Sequence, residues 1–283
     1  MATCSACGRF STVPTEYPFL SEVPLLILVT NDDGIHSPGL TVLADTLSSM
    51  GRVVVVAPDR ERSAVGHALT LHAPLRADEL RSDVFAVDGT PTDCVNLGIH
   101  GLLAKTPDLV VSGINRGGNL GDDITYSGTV AAAMEATLMG VPAFAISLAG
   151  GRFLAEDFAV AAGFSRSLAE LVVRNGLPAD TFLNVNVPAG QPCGACLTRQ
   201  GKRQYSDLVV EKLDPRGRKY YWIGGGEVGF HDLPGTDFHA IHQGLISITP
   251  LHLDLTNDQS FSTLEPWGLD TLPLPTDQRG STR

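Results

Sequence analysis

Two adjacent carboxylates, Asp32 and Asp33, stand in Asn31-Asp32-Asp33-Gly34, directly after the run Pro24-Leu25-Leu26-Ile27-Leu28-Val29-Thr30. Paired carboxylates at the end of a buried segment are costly unless a cation neutralises them, although a solvated Asp-Asp-Gly turn would look the same in isolation. A second polar stretch, Pro58-Asp59-Arg60-Glu61-Arg62-Ser63-Ala64-Val65-Gly66, offers the Ser63 hydroxyl as a neutral oxygen for a hard cation and two arginines for an anion. A third, Gly113-Ile114-Asn115-Arg116-Gly117-Gly118-Asn119-Leu120-Gly121, holds an amide oxygen on Asn115 among glycines that let a backbone approach closely. The fourth is Tyr126-Ser127-Gly128-Thr129, ahead of an Ala-rich helix. There, hydroxyls, backbone N–H groups and a positive dipole end favour a phosphate. Taken singly, these are an ordinary turn, a charged loop, a glycine-rich loop and an N-cap. Brought to one edge of one sheet, they make an all-oxygen site suited to Mg²⁺, Mn²⁺ or Ca²⁺ and wrong for structural zinc. A metal beside an anion hole is equipment for phosphoester hydrolysis.

The elements that would bring these loops together can be read from periodicity. Short continuous apolar runs at 25–29, 52–57, 108–112 and 142–147 have the composition of strands buried on both faces. Between them lie helical patterns. Ser37 caps and Pro38 opens one whose stripe is Leu40, Leu43, Ala44 and Leu47. Val95, Ile99, Leu102 and Leu103 mark a second, Thr129 to Met139 a third, and about 156–174 a fourth. Alternating buried strands and amphipathic helices predict an α/β fold with a doubly wound parallel sheet, Rossmann-like, over about 24–190. Past Pro188 the pattern changes to a hairpin arm at about 204–224, joined by Asp214-Pro-Arg-Gly-Arg218, and a returning strand at Leu245–Pro250. Residues 1–23 read as an unstructured extension, 24–262 as a single domain and 263–283 as a flexible tail.

Five segments, Asn31-Asp-Asp-Gly-Ile35, Ala57-Pro-Asp-Arg-Glu-Arg-Ser-Ala64, Gly89-Thr-Pro-Thr-Asp-Cys94, Val111-Ser-Gly-Ile-Asn-Arg-Gly117 and Ser127-Gly-Thr129, together resemble the SurE family of metal-dependent 5′/3′-nucleotidases. The likeness extends in order over about residues 25–258. It implies one divalent ion per subunit, Mg²⁺ or Mn²⁺ with Ca²⁺ also admitted, on Asp32, Asp33, Ser63 and Asn115. The same four residues emerge from the chemistry of the loops. Asp32 and Asp33 are the catalytic candidates, and Gly34, Asn119, Ser127, Gly128 and Thr129 the candidate phosphate contacts. The resemblance implies dephosphorylation of nucleoside monophosphates, with looser activity on other phosphates including polyphosphate. It also implies oligomers built partly by exchange of carboxyl-terminal segments, here a homodimer or dimer of dimers.

Composition narrows the partners. The chain has 283 residues, with 20 Lys+Arg against 31 Asp+Glu for a net charge of −11, a field that repels a polyanion and argues against a nucleic-acid polymer. A small anionic substrate remains compatible, because a bound cation reverses the local sign. No apolar run approaches the roughly 18 residues of a membrane span. Five cysteines make no disulfide scaffold, which points to a reducing, cytoplasmic setting. Cys4-x-x-Cys7 and Cys193-x-x-Cys196 could form a zinc site in principle, but free thiols are the simpler reading. His36, His67 and His100 could shuttle protons near the loops. Gly224-Gly-Gly226-Glu-Val-Gly229 matches a dinucleotide fingerprint by letter only, since no buried strand and helix flank it. A dehydrogenase is further excluded because its pyrophosphate would face Asp32 and Asp33. The alternatives to a nucleotidase are a broader acid phosphatase or exopolyphosphatase, a phosphatase phosphorylated on Asp32, and a nucleotide-binding stress protein with little turnover.

Overall fold

The continuous apolar runs become the middle of a sheet covered on both faces, because side chains that alternate along a strand have apolar neighbours on either side. A computed structural model describes residues 24–204, 209–223 and 229–272. Its strands in chain order are β1 (Leu25–Thr30), β2 (Gly51–Pro58), β3 (Ala77–Arg81), β4 (Val84–Val87), β5 (Leu109–Arg116), β6 (Ala143–Ala149), β7 (Thr181–Pro188), β8 (Gly194–Leu197), β9 (Arg203–Gln204), β10 (Val209–Leu213), β11 (Lys219–Ile223), β12 (Gly229–Phe230) and β13 (Leu245–His252). The helices are α1 (Pro38–Leu47), α2 (Pro91–Leu97), α3 (Gly128–Leu138), α4 (Ala159–Asn175), α5 (Asp237–His242) and α6 (Phe261–Leu264).

Nine strands form the main sheet in the order β3-β4-β2-β1-β5-β6-β7-β13-β8. From β4 to β7 every neighbour is parallel, while β3 and β13 run antiparallel to β4 and β7. The fold is therefore the expected α/β, mostly parallel, Rossmann-like arrangement. On one face Ile27 and Val29 join a core with Leu40, Leu43 and Leu47 of α1 and Ala161, Leu168 and Val172 of α4. On the other, Leu26 and Leu28 join one with Val95 of α2 and Val130, Ala132, Ala133 and Ala136 of α3. Residues 128–133 of α3 are all buried, which its small side chains permit. Among the described residues no helix is long and apolar enough to cross a membrane.

Several boundaries differ from the sequence reading for local physical reasons. The second helix starts at Pro91, because a reciprocal Thr90–Asp93 capping box and a proline in the first turn fix it there. It continues as a wider π turn over Gly98–Leu102. The helix expected at 156–174 begins as a 3₁₀ turn, Ala155–Phe158, and ends at Gly176 with φ +72°. Strands β3, β4 and β8 are additional to the sequence reading; each is only four or five residues long and lies toward an edge of the sheet. The sheet also extends beyond residue 190, since β13 and β8 join it.

The expected hairpin is present as β10 paired antiparallel with β11, Val209 opposite Ile223 and Leu213 opposite Lys219. Gln204 belongs instead to β9, which pairs with β12. All ten residues of the two hairpin strands are exposed. One compact unit ends at Leu253, just after β13, and a second begins at Asp254. The described part of the second unit consists of α6 and short 3₁₀ turns between Asp258 and Thr271. The extension at 1–23 with Cys4 and Cys7, residues 205–208 and 224–228, and the tail from 273 lie outside the described residues.

Candidate active site

Strand β1 lies between β2 and β5, so the chain crosses the sheet in opposite senses on its two sides. In an open α/β sheet, the crevice off the carboxyl ends at this switch point is where ligands bind. The loop after β1 is built for it. Asn31, wholly buried, donates from Nδ2 to the Gly34 carbonyl and the Ser37 Oγ, both at 3.1 Å, and accepts from Gly34 N at 3.2 Å. Gly34 has φ +94°, and a Cβ there would lie 2.9 Å from the Arg60 carbonyl carbon. Its first service is thus the close approach of the β1 and β2 loops. Ile35 N donates to Pro58 O and Arg62 N to Asp32 O, each at 2.8 Å, which fastens the two loops together.

Both carboxylates are enclosed. Asp32 is 5% exposed, and its two oxygens accept from one residue, Thr129: Oγ1 to Oδ1 at 2.5 Å and N to Oδ2 at 3.2 Å. Burial pushes its pKa up from 3.8 to about 6, against the lowering effect of the Thr129 hydroxyl, and the neighbouring Asp33 charge adds to the rise. The Asp33 side chain, also 5% exposed, accepts from Arg116 twice, from N at 2.9 Å and from Nε at 3.0 Å. Arg116 Nη2 reaches Glu61 Oε2 at 3.1 Å, and Glu61 Oε1 accepts the Ser63 hydroxyl at 2.8 Å. Asn115, at the end of β5, donates from Nδ2 to Gly117 O at 2.9 Å, a bond that does not use its Oδ1. Among the described residues no three His, Cys, Asp or Glu side chains converge as a metal cluster. A cation held here would meet carboxylate and neutral oxygens, a donor set that suits a hard divalent ion.

The raised Asp32 pKa has a consequence for pH. Folding lifts this carboxyl above its ordinary 3.8, so its contribution to stability is full below that value and lost as pH rises through about 6. A cation prefers the ionised form and works in the opposite sense. Mn²⁺ affinity, followed by calorimetry, is expected to fall roughly tenfold per pH unit below about 6, as metal and one proton compete. Affinity independent of pH between 5 and 7 would contradict this.

The expected phosphate contacts differ in how far their polar groups are already engaged. Ser127 caps α3 and accepts from Val130 N at 3.1 Å. A Cβ on Gly128 would lie 2.9 Å from the Asp32 Cβ and 3.0 Å from Pro91 Cγ, so the helix start rests directly on the carboxylate. Thr129 is wholly buried and its hydroxyl is committed to Asp32. Asn119 enters a buried amide cluster: its Nδ2 donates to Ser147 Oγ, its N to Asn186 Oδ1, and its carbonyl accepts from Asn184 and Asn186. That cluster ties the loop to β6 and β7. Asn184 and Asn186 alternate within an otherwise apolar strand, a signal from which their inward role could have been read. Nothing in the sequence signalled the Arg116–Glu61 pair.

The remaining candidates differ in their surroundings. His67 Nε2 bonds Glu135 Oε2 at 2.7 Å, which fixes the loop after β2 against α3, and His36 and His100 are exposed. Cys94 is buried and its thiol pKa is pushed well up by desolvation. The Cys193 thiol donates to the carbonyls of Gln243 at 3.4 Å and Gly244 at 3.3 Å, and Cys196 lies within β8.

A family model described as survival protein SurE matches residues 27–207. The chain belongs to the SurE family. It is 69% identical over 245 residues to a protein named 5′-nucleotidase SurE from Syntrophotalea carbinolica, a match that covers 87% of this chain and 98% of that one. The protein of the same name from Geobacter sulfurreducens is 64% identical over 86% of this chain and 94% of its own. Among solved structures, a SurE protein from Aquifex aeolicus matches with a TM-score of 0.77 and 46% identity, over 86% of this chain and 99% of that one. All five motifs that carry the SurE resemblance lie within the matched span.

Proposed function

We propose that this SurE-family chain is a divalent-metal-dependent nucleotidase that hydrolyses nucleoside 5′- and 3′-monophosphates to nucleoside and phosphate. The observation that carries this reading is the pair of enclosed carboxylates, Asp32 and Asp33, at the sheet's switch point against the N-terminus of α3. The names borne by its relatives support the nucleotide as substrate. Asp32, Asp33, Ser63 and Asn115 would hold the ion. When bound, such a cation polarises the phosphoryl group and lowers the pKa of an attacking water. Thr129 fixes the orientation of Asp32 through both carboxylate oxygens. Oδ2, with only the longer of those two contacts, retains a lone pair to orient the water. Ser127 and Gly128, at the helix start, face developing phosphoryl charge with the positive end of the α3 dipole. The alternative is a phospho-aspartate route through Asp32, which burst kinetics or a trapped phospho-aspartate would reveal.

A phosphate-release assay over nucleoside 5′- and 3′-monophosphates, sugar phosphates and polyphosphate tests this. Release is expected to be fastest from the nucleotides with Mg²⁺ or Mn²⁺ and to fall at least a hundredfold in EDTA, the scale of a Lewis-acid contribution of several kcal/mol. Undiminished turnover in EDTA would overturn the metal-dependent reading, and release from polyphosphate alone would overturn the substrate.

The same reading takes the protein as a homodimer or dimer of dimers. On one face of the hairpin lie Val209, Leu213, Tyr221 and Ile223; on the other, Val210, Tyr220 and Trp222. A two-stranded ribbon cannot cover two such faces by itself. The buried Cys94 thiol suits the reducing conditions of a cytoplasm.

A further inference from the structure

Resting on that reading of the metal site, we propose that Arg116 and Glu61 are positioning residues that couple two metal ligands from different strands, Asp33 and Ser63, into one site. The observation is a continuous relay. Asp33 Oδ1 accepts from Arg116 Nε at 3.0 Å, Arg116 Nη2 donates to Glu61 Oε2 at 3.1 Å, and Ser63 Oγ donates to Glu61 Oε1 at 2.8 Å. Three strand ends contribute, after β1, after β2 and at the end of β5. A planar guanidinium fork suits this place because its separate N–H groups satisfy two carboxylates at once, which a single ammonium cannot do with the same geometry.

Two features give the relay a purpose beyond surface charge pairing. First, a carboxylate can only accept, so the Ser63 hydroxyl must spend its proton on Glu61 and keeps its oxygen lone pairs for a cation. Without Glu61 this exposed hydroxyl would rotate freely and donate to water. Second, the Asp33 side chain is 5% exposed and that of Glu61 56%, so Arg116 joins an enclosed ligand to a surface side chain on the loop that carries Ser63. The backbone adds to this: Arg116 N also donates to the other Asp33 oxygen at 2.9 Å. Ligand carboxylates and hydroxyls in metal sites are oriented by outer partners of this kind, and loss of one costs about 10–100-fold in metal affinity.

The test is Mn²⁺ binding measured calorimetrically without substrate, on the intact chain and on Arg116→Lys, Glu61→Ala and the double variant. Arg116→Lys keeps the charge and removes the fork; Glu61→Ala removes the Ser63 acceptor. Each is expected to weaken Mn²⁺ about tenfold, and the double variant no further than the weaker single one, since both break the same relay. The melting temperature of the metal-free variants should stay within a few degrees of the parent, which shows that they fold. At saturating Mn²⁺, phosphate release should return to within about threefold of the parent, because positioning of the ion is lost and the reacting groups are kept. Unchanged affinity in the single variants, or additive losses in the double, would overturn the relay. Absence of Mn²⁺ binding by the parent chain would instead overturn the metal site on which it rests.

Discussion

Asp32→Asn is expected to lower kcat/KM at least a thousandfold while raising the melting temperature of the metal-free protein by a few degrees. The first effect follows from the loss of an anionic ligand, which removes several kcal/mol of charge stabilisation at the phosphoryl group. The second follows from burial. An ionised carboxylate held at a pKa of about 6 in place of 3.8 costs the fold on the order of 3 kcal/mol at neutral pH. Asparagine carries no such cost and fits the same contacts. Its Oδ1 can accept from Thr129 N, and the Thr129 hydroxyl can turn to accept from Nδ2. Activity and thermal stability therefore move in opposite directions, the pattern of a site whose charge is kept for function. Kinetics with Mn²⁺ and a thermal melt in EDTA decide it. A stable variant with parental turnover would remove Asp32 from the mechanism, and a fall in both would mean that its role is structural.

Deletion of residues 205–223, bridged by a short Gly/Ser turn, is expected to convert the dominant species from a dimer or larger to a monomer while the metal ligands stay in place. Trp222 is 61% exposed and Ile223 87% within one chain, on opposite faces of a ribbon that is exposed throughout. Arm exchange between copies is a low-cost way to cover such surfaces. Glu211 and Lys219 pair at 2.9 Å on the ribbon itself, so the apolar residues rather than this pair are left needing a partner. Sedimentation at roughly ten micromolar separates the outcomes, since obligate interfaces are far tighter than this. A monomeric parent chain would defeat the proposed assembly; an oligomeric deletion variant would place the interface elsewhere.

The sequence by itself determined the local structure and much of the chemistry. Apolar runs such as 25–29 and 52–57 read as strands buried on both faces, and Ser37-Pro38 as the opening of a helix, because these signals act over a few residues. It also put Asp32 and Asp33 at a strand end and Ser127-Gly128-Thr129 at a helix start. What it left open was which groups are already engaged. That Thr129, 97 residues along the chain, spends its hydroxyl on Asp32 depends on how α3 docks against the β1 loop. That Asn119 enters an amide cluster with Asn184 and Asn186 depends on β7 lying beside β6. That Arg116 joins Asp33 to Glu61, 83 and 55 residues away, depends on β1 lying between β2 and β5. Periodicity reports which face of an element is buried, but strand order and helix docking decide what meets there. The candidate ligands were legible because their type is local, and their partners were not because a hydrogen bond between distant residues leaves no period in the chain.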